Sequence, residues 1–198
     1  MNVSAVVLAG GRSSRFGRDK LAEPIAGEPL LSRTIAALGP VASDIVVVAG
    51  PDSSLVLPAG IRVVRDRVAY GGPLVAVVTG LAAARHASVV VVGGDMPWLC
   101  AGVLLLMVES LVPAHEAAAL QFDGRRQQLP LALRREAALH AARRLTDSGE
   151  RRLGSLLDAL DIIGIPEETW RVVDPDGATV RDVDVPGDLR SRAELPRG

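Results

Sequence analysis

The chain has 198 residues, a net charge of −1 and 48% hydrophobic residues, which suits one domain with a well-filled core and excludes a disordered chain. The near-neutral charge argues against a strongly basic partner of nucleic acid or of membrane surfaces, without excluding a local cationic pocket. Aromatic residues are only 3%, so Val, Leu, Ile and Ala must fill the core and broad stacking on nucleic-acid bases is excluded.

In chain order, Val3–Leu8 is a short apolar run that stops at Ala9-Gly10-Gly11, the pattern of a buried parallel strand. Pro29–Leu38 carries Leu31, Ile35 and Leu38 on one helical face, with Pro29 suited to the first turn. Ile45–Ala49 and Ile61–Arg65 read as a second and third strand. Pro73–Arg85 returns to helix with Leu74, Val77, Val78 and Leu81 as its buried stripe. Ser88–Val92, almost pure valine, is a fourth strand ending at Gly93-Gly94-Asp95. This alternation predicts right-handed βαβ units, hence an α/β fold: a Rossmann-like, doubly wound, mostly parallel sheet flanked by helices.

Beyond the helix predicted over Ala101–Val112, the pattern changes. Ala117–Phe122 and Leu129–Arg134 flank the hairpin signal Asp123-Gly124-Arg125-Arg126. Arg135–Leu145 and Arg152–Leu160 read as helices, and Trp170–Val173 and Val180–Val183 bracket a turn at Asp174-Pro175-Asp176-Gly177. No internal repeat or long linker interrupts residues 1–198, so a single domain is expected, with a polar tail from Arg190 to Gly198 that is expected to fray. The N-terminus has no secretory signal pattern, and the longest apolar region, Trp98–Val108, is short of the roughly 20 residues of a membrane span. The single cysteine, Cys100, forbids an intrachain disulfide and fits a reducing cytoplasm, while scattered His86, His115 and His140 make no zinc pattern.

The chemistry concentrates at strand ends. After the first strand, a loop carries Arg12, Arg15 and Lys20 and is punctuated by Gly17. Cations and backbone N–H groups at the carboxyl end of a parallel strand suit a polyanion such as a triphosphate. The loop lacks the G-K-[ST] ending of the Walker loop and the G-x-G-x-x-G of dinucleotide folds. It resembles the signature loop of nucleotidyltransferases, L-A-G-G-x-x-x-R-M-G-x-D-K, at Leu8, Ala9, Gly10, Gly11, Arg15, Gly17, Asp19 and Lys20, with Phe16 replacing Met. Its Gly-Gly form is similar to that of the molybdenum cofactor guanylyltransferases, whereas the related cytidylyltransferases more often show Ala-Gly.

The resemblance extends to Leu189 and implies a nucleotide-diphospho-sugar transferase type of fold and Mg2+ as cofactor. Asp95-Met96-Pro97 resembles the family element whose aspartate holds the catalytic magnesium; read without the family, Asp95 equally suits a strand-end cap. Arg181 to Leu189 resembles the C-terminal D-x-D-T-P-E-D-L element, which puts Asp184 on a second metal position and Asp182 on a supporting one. Val185 and Gly187 depart from that pattern, and surface turns and caps are the plainer reading of these aspartates. Tyr70-Gly71-Gly72-Pro73-Leu74 resembles the base-recognition element, with Val75-Ala76 replacing Ala-Gly. By the same resemblance Asp66 would accept hydrogen bonds from guanine N1 and N2, though it also suits a solvated loop. Arg125 and Arg151, with Asp182, fall in segments that resemble the acceptor-binding face, where Leu129-Pro130 replaces His-Pro.

What the resemblance implies is transfer of GMP from GTP to the molybdenum–molybdopterin cofactor, with Arg15, Lys20 and Asp95 as the catalytic residues. Leu8, Ala9, Gly10, Gly11, Lys20, Asp66, Gly72, Pro73, Leu74 and Asp95 would bind the nucleotide. Partners would be the two small-molecule substrates, with transient contact to cofactor-biosynthesis proteins and neither nucleic acid nor membrane. A CTP-dependent or sugar-phosphate nucleotidyltransferase, and a nucleotide-binding regulator without turnover, remain open from the sequence. A dinucleotide oxidoreductase shares the architecture but has no fingerprint here.

Overall fold

The structure is a computed structural model that describes residues 2–10, 20–51, 53, 55, 57–66, 71–185 and 188. In chain order, β1 (Val3–Ala9) leads through a short 3-10 turn (Lys20–Ala22) to a two-stranded ribbon, β2 (Pro24–Ile25) and β3 (Glu28–Pro29). Then come α1 (Leu30–Leu38), β4 (Asp44–Ala49), β5 (Arg62–Arg65), α2 (Pro73–Ala83), β6 (Ser88–Gly93) and α3 (Ala101–Glu109). The second half holds β7 (Ala117–Phe122), β8 (Arg125–Arg134), α4 (Arg135–Asp147), α5 (Leu153–Ala159), β9 (Ile162–Ile165) and α6 (Glu167–Trp170).

Seven of these strands make one sheet in the order β5-β4-β1-β6-β8-β7-β9. Pairing is parallel throughout β5-β4-β1-β6 and between β7 and β9; β8 alone runs against its neighbours. The period of two along each strand feeds two cores. Val3, Ala5 and Val7, with Val90 and Val92, face α1, α3 and Trp170. Val6, Val48, Val89 and Val91 face α2, α4 and α5. Strands covered on both faces explain the unbroken valine run of β6.

Contact between layers is tight where α2 crosses β1. A Cβ on Gly80 would overlap Val6 Cγ1 and come 3.1 Å from Val48 Cγ2, so glycine sets how closely the helix sits on the sheet. At the amino-terminal edge of the sheet, the Asp44 carboxylate accepts Ser4 Oγ at 2.7 Å, the Arg62 fork at 2.9 and 2.6 Å, and the Arg85 amide at 3.0 Å. Burial alone would raise the Asp44 pKa; the Ser4 hydroxyl, Arg62 and the Arg85 amide outweigh it and hold the carboxyl below its ordinary value.

The sequence-predicted strands and helices through β6 appear within a few residues of their expected bounds. Three features differ. The hairpin turn is only Asp123-Gly124, both at positive φ (50° and 68°), so β8 starts at Arg125, not Leu129. The segment 162–165, not expected as a strand, adds β9 at the sheet edge, and two residues each suffice for β2 and β3. Trp170 ends a helical turn, and 171–185 holds no strand. The tail 190–198 lies outside the described residues.

Candidate active site

The carboxyl ends of four parallel strands line up along one edge. Ala49 is level with Arg65, Ala9 with Ala49, and Leu8 with Gly93. Directly beyond these ends stand Asp66 after β5, Gly10 after β1, and Gly94-Asp95 after β6. Three strand spacings separate β5 from β6, which sets the two aspartates on the order of 14 Å apart across the edge. This is the end of an open α/β sheet where ligands sit.

The turn carrying Asp95 is fixed from several sides. The Gly94 amide donates to the Leu8 carbonyl (3.0 Å), and Thr34 Oγ1, buried on α1, donates to the Gly94 carbonyl (3.0 Å). At Gly93 a Cβ would overlap Asp95 Oδ1, so the bare backbone leaves the carboxylate its place. Lys20 Nζ donates to Asp95 Oδ2 at 2.6 Å and to the Val183 carbonyl at 3.0 Å, while the Val183 amide donates to the Asp95 carbonyl at 3.0 Å. The Val183 side chain is buried with Ile25 and Leu30. One lysine and one valine thus bolt the C-terminal segment onto the β6 loop. The Lys20 and Asp95 side chains are 19% and 24% exposed, sheltered enough to escape much of the salt screening of a surface pair.

Asp182 and Asp184 flank that anchor. Partial burial, then repulsion from Asp184 and Asp95, pushes the Asp182 carboxyl above its ordinary pKa. Asp95, Asp182 and Asp184 are hard oxygen donors; the charges of Asp184 and Asp95 already raise the pKa of Asp182, and a cation would relieve that repulsion. Magnesium needs only one or two carboxylates besides phosphates and water. The residues fit such an ion in that sense. Among the described residues no three His, Cys, Asp or Glu side chains gather closely enough to hold a metal by themselves.

On the other side of the edge, Asp66 is 9% exposed and its amide donates to the Ala49 carbonyl at 2.9 Å. Gly72 (φ 89°) caps α2, Pro73 opens it, and the Leu74 amide donates to the Arg151 carbonyl at 3.2 Å. A Cβ on Gly72 would lie 2.9 Å from both Cβ and the carbonyl oxygen of Arg151, so only glycine fits by space and by backbone angle. Leu8 and Ala9 end β1. Gly10 has ordinary room for a Cβ, 3.7 Å from the Gly50 nitrogen, so the protein itself does not demand glycine there. Gly11, Arg12, Arg15, Phe16, Gly17 and Asp19 lie outside the described residues.

Next to Pro73, a cavity of about 450 Å³ is lined by Gln128, Arg151, Arg152, Gly154, Ser155 and Asp158, among others. Arg151 takes part mostly through its backbone: its guanidinium donates to the Thr146 and Glu150 carbonyls at 3.0 and 2.8 Å. Arg125 is exposed at the start of β8 and is not among the residues lining that cavity, while its neighbour Arg126 pairs with the lining residue Asp158 at 2.6 Å. Thr34 supports the site without any signal in the sequence. Glu150, in the run Gly149-Glu150-Arg151-Arg152, and Val183, between Asp182 and Asp184, lie inside segments that the resemblance points to but take no role of their own from it.

Comparison with known proteins gives the family and the fold. The family of the MobA-like NTP transferase domain matches residues 5–163. A Chloroflexus aggregans protein named "Probable molybdenum cofactor guanylyltransferase" is 34% identical over 204 residues, 96% of this chain and 93% of that protein. A Mycobacterium avium protein of the same name is 32% identical over 201 residues, 98% and 96% of the two chains. Among solved structures, molybdopterin-guanine dinucleotide biosynthesis protein A from Archaeoglobus fulgidus superposes with a TM-score of 0.78 at 22% identity, covering 96% of each chain. The 2-C-methyl-D-erythritol 4-phosphate cytidylyltransferase from Thermus thermophilus gives 0.74 at 19% identity, covering 98% of this chain and all of that one. The likeness establishes the nucleotide-diphospho-sugar transferase type of fold.

Proposed function

The chain belongs to the MobA-like NTP transferase family, and from that premise we propose that it moves GMP from GTP to the molybdenum–molybdopterin cofactor and releases pyrophosphate. The observation that carries this reading is the row of residues along one sheet edge: Asp66 at one end, Gly10 in the middle, Lys20 and Asp95 at the other. A base at the first, a triphosphate over the middle and its reacting phosphates at the last follow the length of a nucleotide.

In the reaction, an oxygen of the acceptor's terminal phosphate bonds to the α-phosphorus of GTP as the bond to the β-phosphate bridging oxygen breaks. The electron pair of that bond leaves on pyrophosphate. A phosphate monoester is already anionic, so no protein base is required, and catalysis is alignment plus charge stabilisation. Lys20 and Arg15 would stabilise charge on the transferring and departing phosphates. Asp95 and Asp184, with Asp182 in support, would hold magnesium, which when bound supplies charge neutralisation at the phosphates. Asp66 would accept the guanine N1 and N2 hydrogens, leaving adenine to meet an unpaired carboxylate.

Arg125 and Arg151 would contribute to the acceptor side. Among the described residues no helix is long and apolar enough to cross a membrane, and the single cysteine supports a reducing cytoplasm as the compartment. The test is pyrophosphate release with magnesium and GTP, CTP, ATP or UTP, with and without molybdenum–molybdopterin. Release with GTP and that acceptor alone is expected; release with CTP instead overturns the base assignment, and none with any pairing overturns the activity.

A further inference from the structure

Glu150 lies between α4 and α5, and five donors converge on its carboxylate. Oε1 accepts the Arg151 amide (2.8 Å), the Arg152 amide (3.0 Å) and Arg152 Nε (3.3 Å). Oε2 accepts Arg152 Nη2 (3.0 Å) and Ser155 Oγ (2.7 Å). The Arg152 side chain and amide, with Ser155 and the Arg151 amide, hold the Glu150 carboxyl far below the usual carboxylate range. The side chain thus stays ionised throughout the working pH range and acts as a fixed anion over two backbone N–H groups that α5 leaves unpaired.

The peptide it fixes faces two ways. On one side the Arg151 carbonyl accepts the Leu74 amide, and its Cβ and oxygen fill the space beside Gly72. On the other, Arg151, Arg152 and Ser155 line the cavity of about 450 Å³ together with Pro73. The Gly72-Leu74 turn and the cavity therefore share one wall, and the side chain that accepts both of its backbone N–H groups, those of Arg151 and Arg152, is Glu150.

We propose that Glu150 is a positioning residue that couples the two substrate subsites: by locking the Arg151 peptide it orients both the nucleotide-side turn at Gly72-Leu74 and the acceptor-side cavity. The proposal rests on the nucleotidyltransferase reading for the identity of the two subsites, but not for the clamp itself. A residue of this kind lowers the cost of ordering both substrates and touches neither reacting atom, so its loss raises the KM of each and leaves turnover at saturation nearly intact.

The test compares Glu150→Ala and Glu150→Gln with the unsubstituted protein, by steady-state kinetics, amide hydrogen exchange and thermal melting. For Glu150→Ala, KM for both GTP and acceptor is expected to rise about 10-fold, the loss of one charge-assisted hydrogen bond, with kcat changed by less than about 3-fold. The Leu74 amide should exchange faster by a similar factor while the amides of β1 and β6 do not. Glu150→Gln, which keeps an acceptor over the two amides, should recover part of each effect. A lower Tm with unchanged KM values and unchanged Leu74 exchange would mean a merely structural role and overturn the proposal, as would a rise in one KM alone. If the unsubstituted protein turns over no nucleotide, the functional reading fails, and Leu74 exchange still decides the clamp.

Discussion

Lys20 Nζ lies 2.6 Å from Asp95 Oδ2, closing a contact across 75 residues. The cation at the β6 carboxylate is here the lysine, and under the proposed function a divalent ion and the phosphates would divide this pair between them. On that reading the lysine would exchange its carboxylate for a phosphate as the ion takes the carboxylate. Lys20→Ala should then bind magnesium more tightly in the absence of nucleotide and yet turn over at least ~10-fold more slowly. Calorimetric titration of magnesium beside initial rates reads both; weaker magnesium binding in the variant would contradict the exchange.

Asp95→Ala removes the acceptor of that pair and the group expected to hold the ion. A loss of at least ~10²-fold in kcat is expected, the size of one strong electrostatic element, while Lys20 keeps its bond to the Val183 carbonyl. Turnover unchanged at saturating magnesium would remove Asp95 from the reaction.

Gly93 gives a more selective test. An added methyl group would overlap Asp95 Oδ1, the mobile end of a side chain that can rotate away, and would lie 3.4 Å from Met96 Cγ. Gly93→Ala should accordingly fold with a cost of no more than about 1–2 kcal/mol while lowering kcat at least ~10-fold by displacing the carboxylate. Melting and initial rates on one sample separate the two; a large loss of Tm with normal turnover would show that the clash falls on the core instead.

Much of this was legible in the chain. Four valines before two glycines can only be a buried strand ending at an open edge, and the Asp95 that follows takes its place from that ending. The missed β9 had four residues with Gly164 inside and Pro166 after, too short and too interrupted to show a period. Asp182 and Asp184 stood out through the resemblance of Arg181 to Leu189 to a family element, but the link that brings them to Asp95 runs through the carbonyl and amide of Val183. Backbone acceptors leave no mark on sequence, and neither does the 163-residue separation from Lys20 that this contact spans.

At the opposite edge of the sheet, Asp44 predicts the acid limb of stability. Its native pKa is below the unfolded value of 3.8, so its contribution is complete above that value and is lost as pH falls through the native one. Asp44→Asn should lower stability at pH 7 by about 2–3 kcal/mol, or Tm by roughly 4–12 °C, and the gap should narrow progressively as pH falls below 3.8. Melting curves from pH 7 to pH 2.5 test this; a gap that stays constant across the range would mean the lost stability comes from shape and not from charge.

Under the proposed function Asp66 would read the base. Its carboxylate is an acceptor at both oxygens, so it matches the two donors of guanine N1 and N2 and leaves one oxygen unpaired against adenine. Asparagine at the same site offers one acceptor and one donor, a pairing adenine can meet through N6 and N1. Asp66→Asn should therefore raise the KM for GTP and cut the GTP-to-ATP ratio of kcat/KM by at least ~10-fold, the value of one hydrogen bond to a charged group. The position is 9% exposed and its amide is already bonded to Ala49, so Asp66→Ala serves as the companion variant that loses both acceptors and gains no donor. It should lose GTP affinity as Asn does and gain nothing with ATP. If both variants keep the ratio of the unsubstituted protein, the base is read elsewhere along the edge, and the Gly72-Leu74 turn is where its backbone groups would have to do it.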